Sequence, residues 1–178
     1  ILIVILGSFF CNLGFCLETP QMPSIDAHHL VKTLNHMGYM STVTDPISER
    51  FLEFMKETKG SFLDVGTAYG EMTIKAMEVG ASFGITNDID EKQMQIVEQR
   101  IPIQFKDKVT LMPGSFPDKI VWPKHIGQVD AILMLRVVHF MSGEQIKASL
   151  KLAFDKLKPE GKAGPTHEIF LGAKSRQR

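Results

Sequence analysis

The residues of this chain whose types and spacing could do chemistry gather around residues 61–71, SFLDVGTAYGE. Phe62, Leu63 and Val65 surround Asp64, and Gly66, Ala68 and Gly70 follow at alternate positions before a helical pattern starts at Met72. The pattern reads as strand, tight turn, helix. Such a turn lets backbone pass close to a ligand with no Cβ in the way, and the helix after it presents N–H groups that have no intrahelical partner. Ligands of open α/β sheets sit there, outside the carboxyl ends of the strands. A dinucleotide fingerprint asks for glycine at the first, third and sixth positions counted from Gly66. This chain has Gly66, Ala68 and Glu71 there, and Glu71 sets a negative charge where a pyrophosphate would lie. A nicotinamide-dependent oxidoreductase is therefore the disfavoured enzyme alternative, and a tight turn without a ligand is the plain structural one.

The same residues resemble motif I of the class I S-adenosylmethionine-dependent methyltransferases, an acidic residue followed by glycines at alternate positions. The match reads Asp64, Val65, Gly66, Thr67, Ala68, Tyr69, Gly70, with Ala68 standing for the family's middle glycine. The resemblance runs over about residues 45–162. LKPEGK at residues 157–162 strengthens it, being close to the Lys-Pro-Gly-Gly turn that leads into the family's fifth strand.

That resemblance implies S-adenosylmethionine as cofactor and a set of binding residues. Asp64 would serve the cofactor's amino-acid end, directly or by orienting the turn, and Gly66, Thr67, Ala68 and Gly70 would line that end with backbone. Asp88 matches the acidic residue closing the family's second strand, which bonds both ribose hydroxyls because a carboxylate offers two acceptor oxygens to a vicinal diol. It lies 18 residues beyond Gly70, near the spacing of about 20 found in related nucleotide-binding folds. Ile89 would flank the adenine ring, Ser115 stands where the family often has an aspartate for the adenine amino group, and Phe116 could stack. Arg136, just past the fourth strand, is a candidate for bonding acceptor or cofactor, with an exposed arginine as the alternative.

Methyl transfer needs alignment more than protein nucleophiles, and a general base matters only for a poorly acidic hydroxyl or a protonated amine. His139 is the histidine beside the expected methyl-donor end, so it is the candidate base, with a packing role set against it. No other catalytic residue is assigned. The acceptor is read as a small molecule, on ordinary charge and the lack of an added recognition domain. Two further readings stay open beside the enzyme: a cofactor-binding pseudoenzyme, and a truncated, non-catalytic fragment.

The elements that must position these residues can be read in outline. The expected fold class is α/β, a Rossmann-like doubly wound and mostly parallel sheet of order 3-2-1-4-5. A helix is expected over residues 25–37, where Leu30, Val31, Leu34 and Met37 fall near helical spacing, followed by a loop over residues 38–44. Tyr39 and Met40 in that loop are read as packing residues that could reach the site. Asp45 and Pro46 then open a clearer helix that Gly60 stops, with Ile47, Phe51, Phe54 and Met55 on one face. Strands follow at residues 83–86, 108–112 and 129–135. Capping boxes are expected at Asp90 with Gln93 and at Ser142 with Gln145, ahead of helices over residues 91–100 and 146–157. In the fifth strand the pattern breaks: residues 163–168 hold Gly164, Pro165 and polar groups, and only residues 169–171 read as strand. Strands six and seven have no residues assigned to them, so the carboxyl end is expected to be truncated or altered.

Composition bounds the rest. The chain's 178 residues suit one domain, and 44% hydrophobic with 22% charged residues is ordinary globular composition. Lys plus Arg and Asp plus Glu each number 20, so no net positive field recruits nucleic acid. Cys11 and Cys16 build neither a disulfide framework nor a zinc set, and His28, His29 and His36 lack companion ligands, so no metal is expected. Residues 1–17 carry no charge and read as a signal or membrane anchor, a buried helix, or an upstream translation artefact. The expected division is 1–17, then 18–44 as linker and N-terminal helix, then 45–178 as the methyltransferase-like domain. Its expected location is cytoplasmic, where S-adenosylmethionine is made, or membrane-associated or exported if residues 1–17 act as anchor or signal.

Overall fold

The structure, a computed structural model, describes residues 19–159 and 168–172. The expectations for residues 1–17 and for the turn after Pro159 lie outside the described residues. Within them no helix is long and apolar enough to cross a membrane.

A five-stranded sheet, all of it parallel, forms the centre. Its strands are β3 (Ser61–Val65), β4 (Phe83–Asp88), β5 (Val109–Pro113), β6 (Ala131–Leu135) and β7 (Glu168–Gly172), in the order β5-β4-β3-β6-β7. Counted within the sheet this is 3-2-1-4-5, as expected, and β7 pairs with β6 along its full length, from Ala131 opposite Glu168 to Leu135 opposite Gly172. No sixth or seventh sheet strand occurs among the described residues. The chain leaves β3 toward β4 on one side and returns to β6 on the other, so the sheet's switch point lies between β3 and β6, where a crevice opens at the carboxyl ends.

Helices cover both faces because the strands are apolar on both. Successive residues of β3 show the division. Phe62 packs with α1 (Pro46–Thr58), α2 (Glu71–Glu78) and α3 (Glu91–Arg100), through Phe51, Met55, Ala76 and Val97. Leu63 and Val65 pack on the other side with Ala153 and Leu157, at and just after α4 (Gly143–Lys156). Phe51 meets Phe62 and Phe170 edge-on, at centroid distances of 5.7 and 5.4 Å, which ties α1 to both the middle and the edge of the sheet.

Local signals fix most helix starts. The Asp45 carboxylate accepts from the N–H groups of Ile47 and Ser48 at 3.1 and 2.9 Å, with Pro46 at the first helical position. Ser142 and Gln145 form the complete reciprocal box. Asp90 caps α3 as expected, but the reciprocal half is missing. Asp88 already takes the Asp90 N–H at 2.9 Å, and the Gln93 side chain turns to Asp88 instead.

The helix expected over residues 25–37 and the loop expected over 38–44 are corrected. The chain forms an antiparallel hairpin, β1 (Leu30–Lys32) and β2 (Tyr39–Ser41). Locally, Asp26 accepts from the N–H groups of His28 and Leu30, both at 2.8 Å, which holds a turn instead of a helical start. Val31 and Met40, opposite each other in the hairpin, are its buried residues. The domain holds this hairpin by its backbone: Tyr69 Oη donates to Lys32 O at 2.7 Å, Lys75 Nζ to Thr42 O at 3.0 Å, and Gln93 Oε1 accepts from Leu34 N at 3.1 Å. His28, His29 and His36 are all exposed, and no group of three or more metal-ligating side chains occurs among the described residues.

Candidate functional site

The turn after β3 is pinned from below by the end of β4. Gly66 N and Thr67 N both donate to Asn87 O at 2.9 Å, and Asn87 Nδ2 donates to Met112 O and Gly114 O at 2.7 and 2.9 Å. One buried asparagine thus holds three strand ends together. Gly66 has φ +72°, and a Cβ there would sit 2.8 Å from Val137 Cγ2. Gly66→Ala should therefore lose both the left-handed backbone and the clearance, costing about 1–3 kcal/mol in thermal unfolding. Ala68, in the place of the family's middle glycine, also adopts the left-handed region at φ +51°.

Asp64 lies beneath this turn at 3% exposure. Its Oδ2 accepts from Thr67 Oγ1 at 2.7 Å and Thr73 Oγ1 at 2.8 Å. The Thr73 backbone N–H also bears on this carboxylate. Burial outweighs these hydroxyl bonds and pushes the Asp64 carboxyl up to about 6. Asp88 is also buried, and burial raises it too, against the hydrogen bonds it accepts. Those bonds come from Ala68 N to Oδ2 at 2.8 Å, and from Asp90 N and Gln93 Nε2 to Oδ1 at 2.9 and 3.0 Å.

Two further acids hold their charge. Burial opposes ionisation of Glu71, but Arg100 Nη2 at 2.8 Å and Lys75 Nζ at 3.1 Å outweigh it and keep its pKa below the ordinary value. Asp45 is likewise held down, burial being overcome by Ser48 and by Arg136, whose Nη2 lies 2.9 Å from Asp45 Oδ2. Arg136 is therefore partnered with the cap of α1 and does not stand free. No side chain caps the start of α2, which begins at Glu71.

Around these groups lies a cavity of about 250 Å³. Asp64, Gly66, Thr67, Ala68, Asp88, Ile89, Ser115, Phe116 and Arg136 all line it. Gly70 does not: it starts α2 at φ +77°, packed so closely on Val97 that a Cβ would lie 3.0 Å from Val97 Cγ1. His139 does not either. It is exposed in the short 3-10 turn Val138–Phe140, its ring 3.9 Å from that of Phe140, and only Phe140 lines the cavity. Phe116 is 5% exposed and belongs to the α4-side core as much as to the cavity, whereas Ile89 is 55% exposed at the rim. Sequence reasoning missed Asn87, Gln93 and the roof. Thr33, Asn35, Met37 and Ser41 of the hairpin line the cavity, and so do Tyr39 and Met40, which the sequence placed in packing. Asn87 and Gln93 stand near Asp88 in the sequence, but only the fold shows that they are buried around it.

No protein-family model matches the chain, and no curated protein matches its sequence. Solved structures do match. A methyltransferase dependent on S-adenosylmethionine from Thiobacillus denitrificans, in complex with S-adenosyl-L-homocysteine, matches with a TM-score of 0.52 and 16% identity over 67% of this chain and 46% of that one. PKMT2 from Rickettsia typhi, in complex with AdoHcy, matches with a TM-score of 0.54 and 20% identity over 73% of this chain and 25% of that one. The glycopeptide N-methyltransferase MtfA gives 0.54 and 12% over 70% and 52%. The chain thus spans between a quarter and about half the length of these structures. At such identities the likeness carries the fold, which is that of the class I S-adenosylmethionine-dependent methyltransferases.

Proposed function

We propose that the chain binds S-adenosylmethionine in the crevice at the carboxyl ends of β3, β4, β5 and β6, and that it is a methyltransferase acting on a small-molecule acceptor. One observation carries the reading: the cavity is acidic. Asp64 and Asp88 line it with no cationic side chain paired to either among the described residues, while its other charged lining groups are already paired, Glu71 with Arg100 and Lys75 and Arg136 with Asp45. Such a site suits a ligand with ammonium and sulfonium charges and opposes a pyrophosphate.

The residues fit the parts of that cofactor. Asp64, which lines the cavity, would accept from the ammonium of its amino-acid end. The uncapped start of α2 offers backbone donors for the carboxylate. Asp88 differs from the reading by resemblance in one respect. Three of its roughly four acceptor positions are taken within the protein, which leaves room for about one ribose hydroxyl and not for both. Ile89, exposed at the rim, gives the adenine ring an apolar face, and Ser115 offers its hydroxyl nearby.

When bound, the sulfonium supplies an electrophilic methyl group. The protein's part is then to align and exclude. The Asn87 clamp fixes the turn, the hairpin roofs the crevice, and the Asp45–Arg136 pair stiffens the wall past β6.

Calorimetric titration of the full chain tests the reading. The expected result is saturable binding of S-adenosylmethionine and S-adenosylhomocysteine with no binding of NAD. Binding of NAD alone, or no binding by a chain that melts cooperatively, overturns it.

A further inference from the structure

We propose that the β6 side of the cavity binds an uncharged aromatic methyl acceptor, and that Asp45 sets this preference by neutralising Arg136; this rests on the S-adenosylmethionine reading above. That reading uses the turn after β3 and the ends of β4 and β5, where Asp64, Asp88, Ile89 and Ser115 line the cavity. The chain past β6 lines it with Val137, Phe140 and Met141, and Tyr39 and Val43 add to it from the hairpin and the chain just after. Val137 packs on Gly66, so this wall borders the turn given to the cofactor's amino-acid end. The hairpin turn closes on the same wall, because a Cβ on Gly38 would lie 3.3 Å from Phe140 Cζ.

The lining is apolar where it meets solvent. Ten large apolar side chains are exposed among the described residues, and five of them, Met37, Tyr39, Val43, Ile89 and Phe140, line this one cavity. Exposed apolar surface gathered in that way marks a binding site. Tyr39 and Phe140 are 53% and 45% exposed, and two aromatic rings with the Met141 thioether suit a flat aromatic body.

The charge preference comes from one pair. Arg136 follows β6 in left-handed backbone at φ +55°, a region few residues other than glycine enter, and its Nη2 lies 2.9 Å from Asp45 Oδ2. Asp45 is held for that contact by its other oxygen, since Oδ1 accepts from Ile47 N, Ser48 N and Ser48 Oγ at 3.1, 2.9 and 3.0 Å. An acceptor carboxylate would have to draw Arg136 away and leave Asp45 beside it as an unpaired like charge. A cationic acceptor would meet the cofactor's sulfonium. A neutral body meets neither penalty. Asp45→Asn isolates the effect: asparagine caps a helix as well as aspartate does, so α1 keeps its start while the charge that holds Arg136 is gone.

The test is calorimetric titration of the full chain, saturated with S-adenosylhomocysteine, with 2-naphthol and with 6-hydroxy-2-naphthoate, the same rings carrying a carboxylate. 2-Naphthol is expected to bind saturably, one per chain, at least tenfold more tightly than the carboxylate. Phe140→Asp and, as a second exposed position, Val43→Asp should each weaken 2-naphthol at least tenfold. Asp45→Asn should narrow the preference at least tenfold by gaining affinity for the carboxylate, and adding Arg136→Gln should remove that gain. Equal or tighter binding of the carboxylate by the parent overturns the proposal, as does a folded, cofactor-saturated chain that binds no 2-naphthol. Displacement of S-adenosylhomocysteine by 2-naphthol overturns it too, by putting the ring in the cofactor's half. A preference that Asp45→Asn leaves unchanged removes Asp45 as its cause. Failure of S-adenosylhomocysteine to bind a folded chain overturns the underlying reading, and this one with it.

Discussion

Replacing Asp64 by asparagine is expected to stabilise this chain at neutral pH and to weaken its hold on the cofactor. The folded chain keeps the Asp64 proton up to about pH 6, whereas an unfolded aspartate releases it near 3.8. Between those values the folded state binds more protons, so stability falls as pH rises through the folded pKa. Below about 3.8 the group carries no penalty. The shift from 3.8 to about 6 amounts to about 3 kcal/mol lost by pH 7.5. Asparagine can still accept from Thr67 and Thr73 through its amide oxygen but never has to ionise in that buried place. Thermal melts should therefore show Asp64→Asn ahead by roughly 6–12 °C at pH 7.5, with the advantage gone at pH 3.5. A flat difference across that range sinks the account.

Function runs the other way. An ammonium beside Asp64 favours the ionised carboxylate, so parental affinity for S-adenosylmethionine should climb from pH 5 to pH 7 as the proton is displaced. The asparagine variant should bind at least tenfold more weakly and lose most of that pH dependence. A binding residue kept at a stability penalty is the usual signature of a preorganised site.

How much of this was legible in the sequence follows from how local each determinant is. The α1 start was readable because Asp45 and Pro46 act within four residues, and α4 because Ser142 and Gln145 close a box across three. The glycine turn was readable too, since Gly66 and Gly70 take left-handed backbone that only a few residue types tolerate, although Ala68 between them takes it as well. The hairpin was not. Leu30, Val31, Leu34 and Met37 satisfy helical spacing, but the bonds that hold them come from Tyr69, Lys75 and Gln93, far away in the chain. His139 and Phe140 show the same limit at the site, where adjacent residues of one short turn point differently and only the second reaches the cavity. Asp88 closes β4, where the sequence reading put the end of that strand, yet its local load of three donors is visible only in the fold.

That load makes Asp88→Ala the other change of large effect. Truncation leaves Ala68 N, Asp90 N and Gln93 Nε2 without their acceptor at a position 5% exposed. Each buried donor left unpaired costs about 1–3 kcal/mol, so a combined loss of about 3 kcal/mol or more is expected, along with cofactor binding too weak to detect. Asp88→Asn keeps the acceptor facing Asp90 and Gln93 but turns an NH2 toward the Ala68 N–H, and should fall between. The damage should also travel in one direction. Gln93 is 1% exposed and bridges Asp88 Oδ1, 3.0 Å from its Nε2, to Leu34 N, 3.1 Å from its Oε1. Loosening Asp88 therefore frees the strut under the hairpin that roofs the cavity. Amide hydrogen exchange across residues 30–41 should quicken at least tenfold in Asp88→Ala and in Gln93→Leu, beyond any change in α4, which has no bond to this network. Uniform quickening over the whole chain would mean global destabilisation alone and would remove Gln93 as the link between cofactor site and roof.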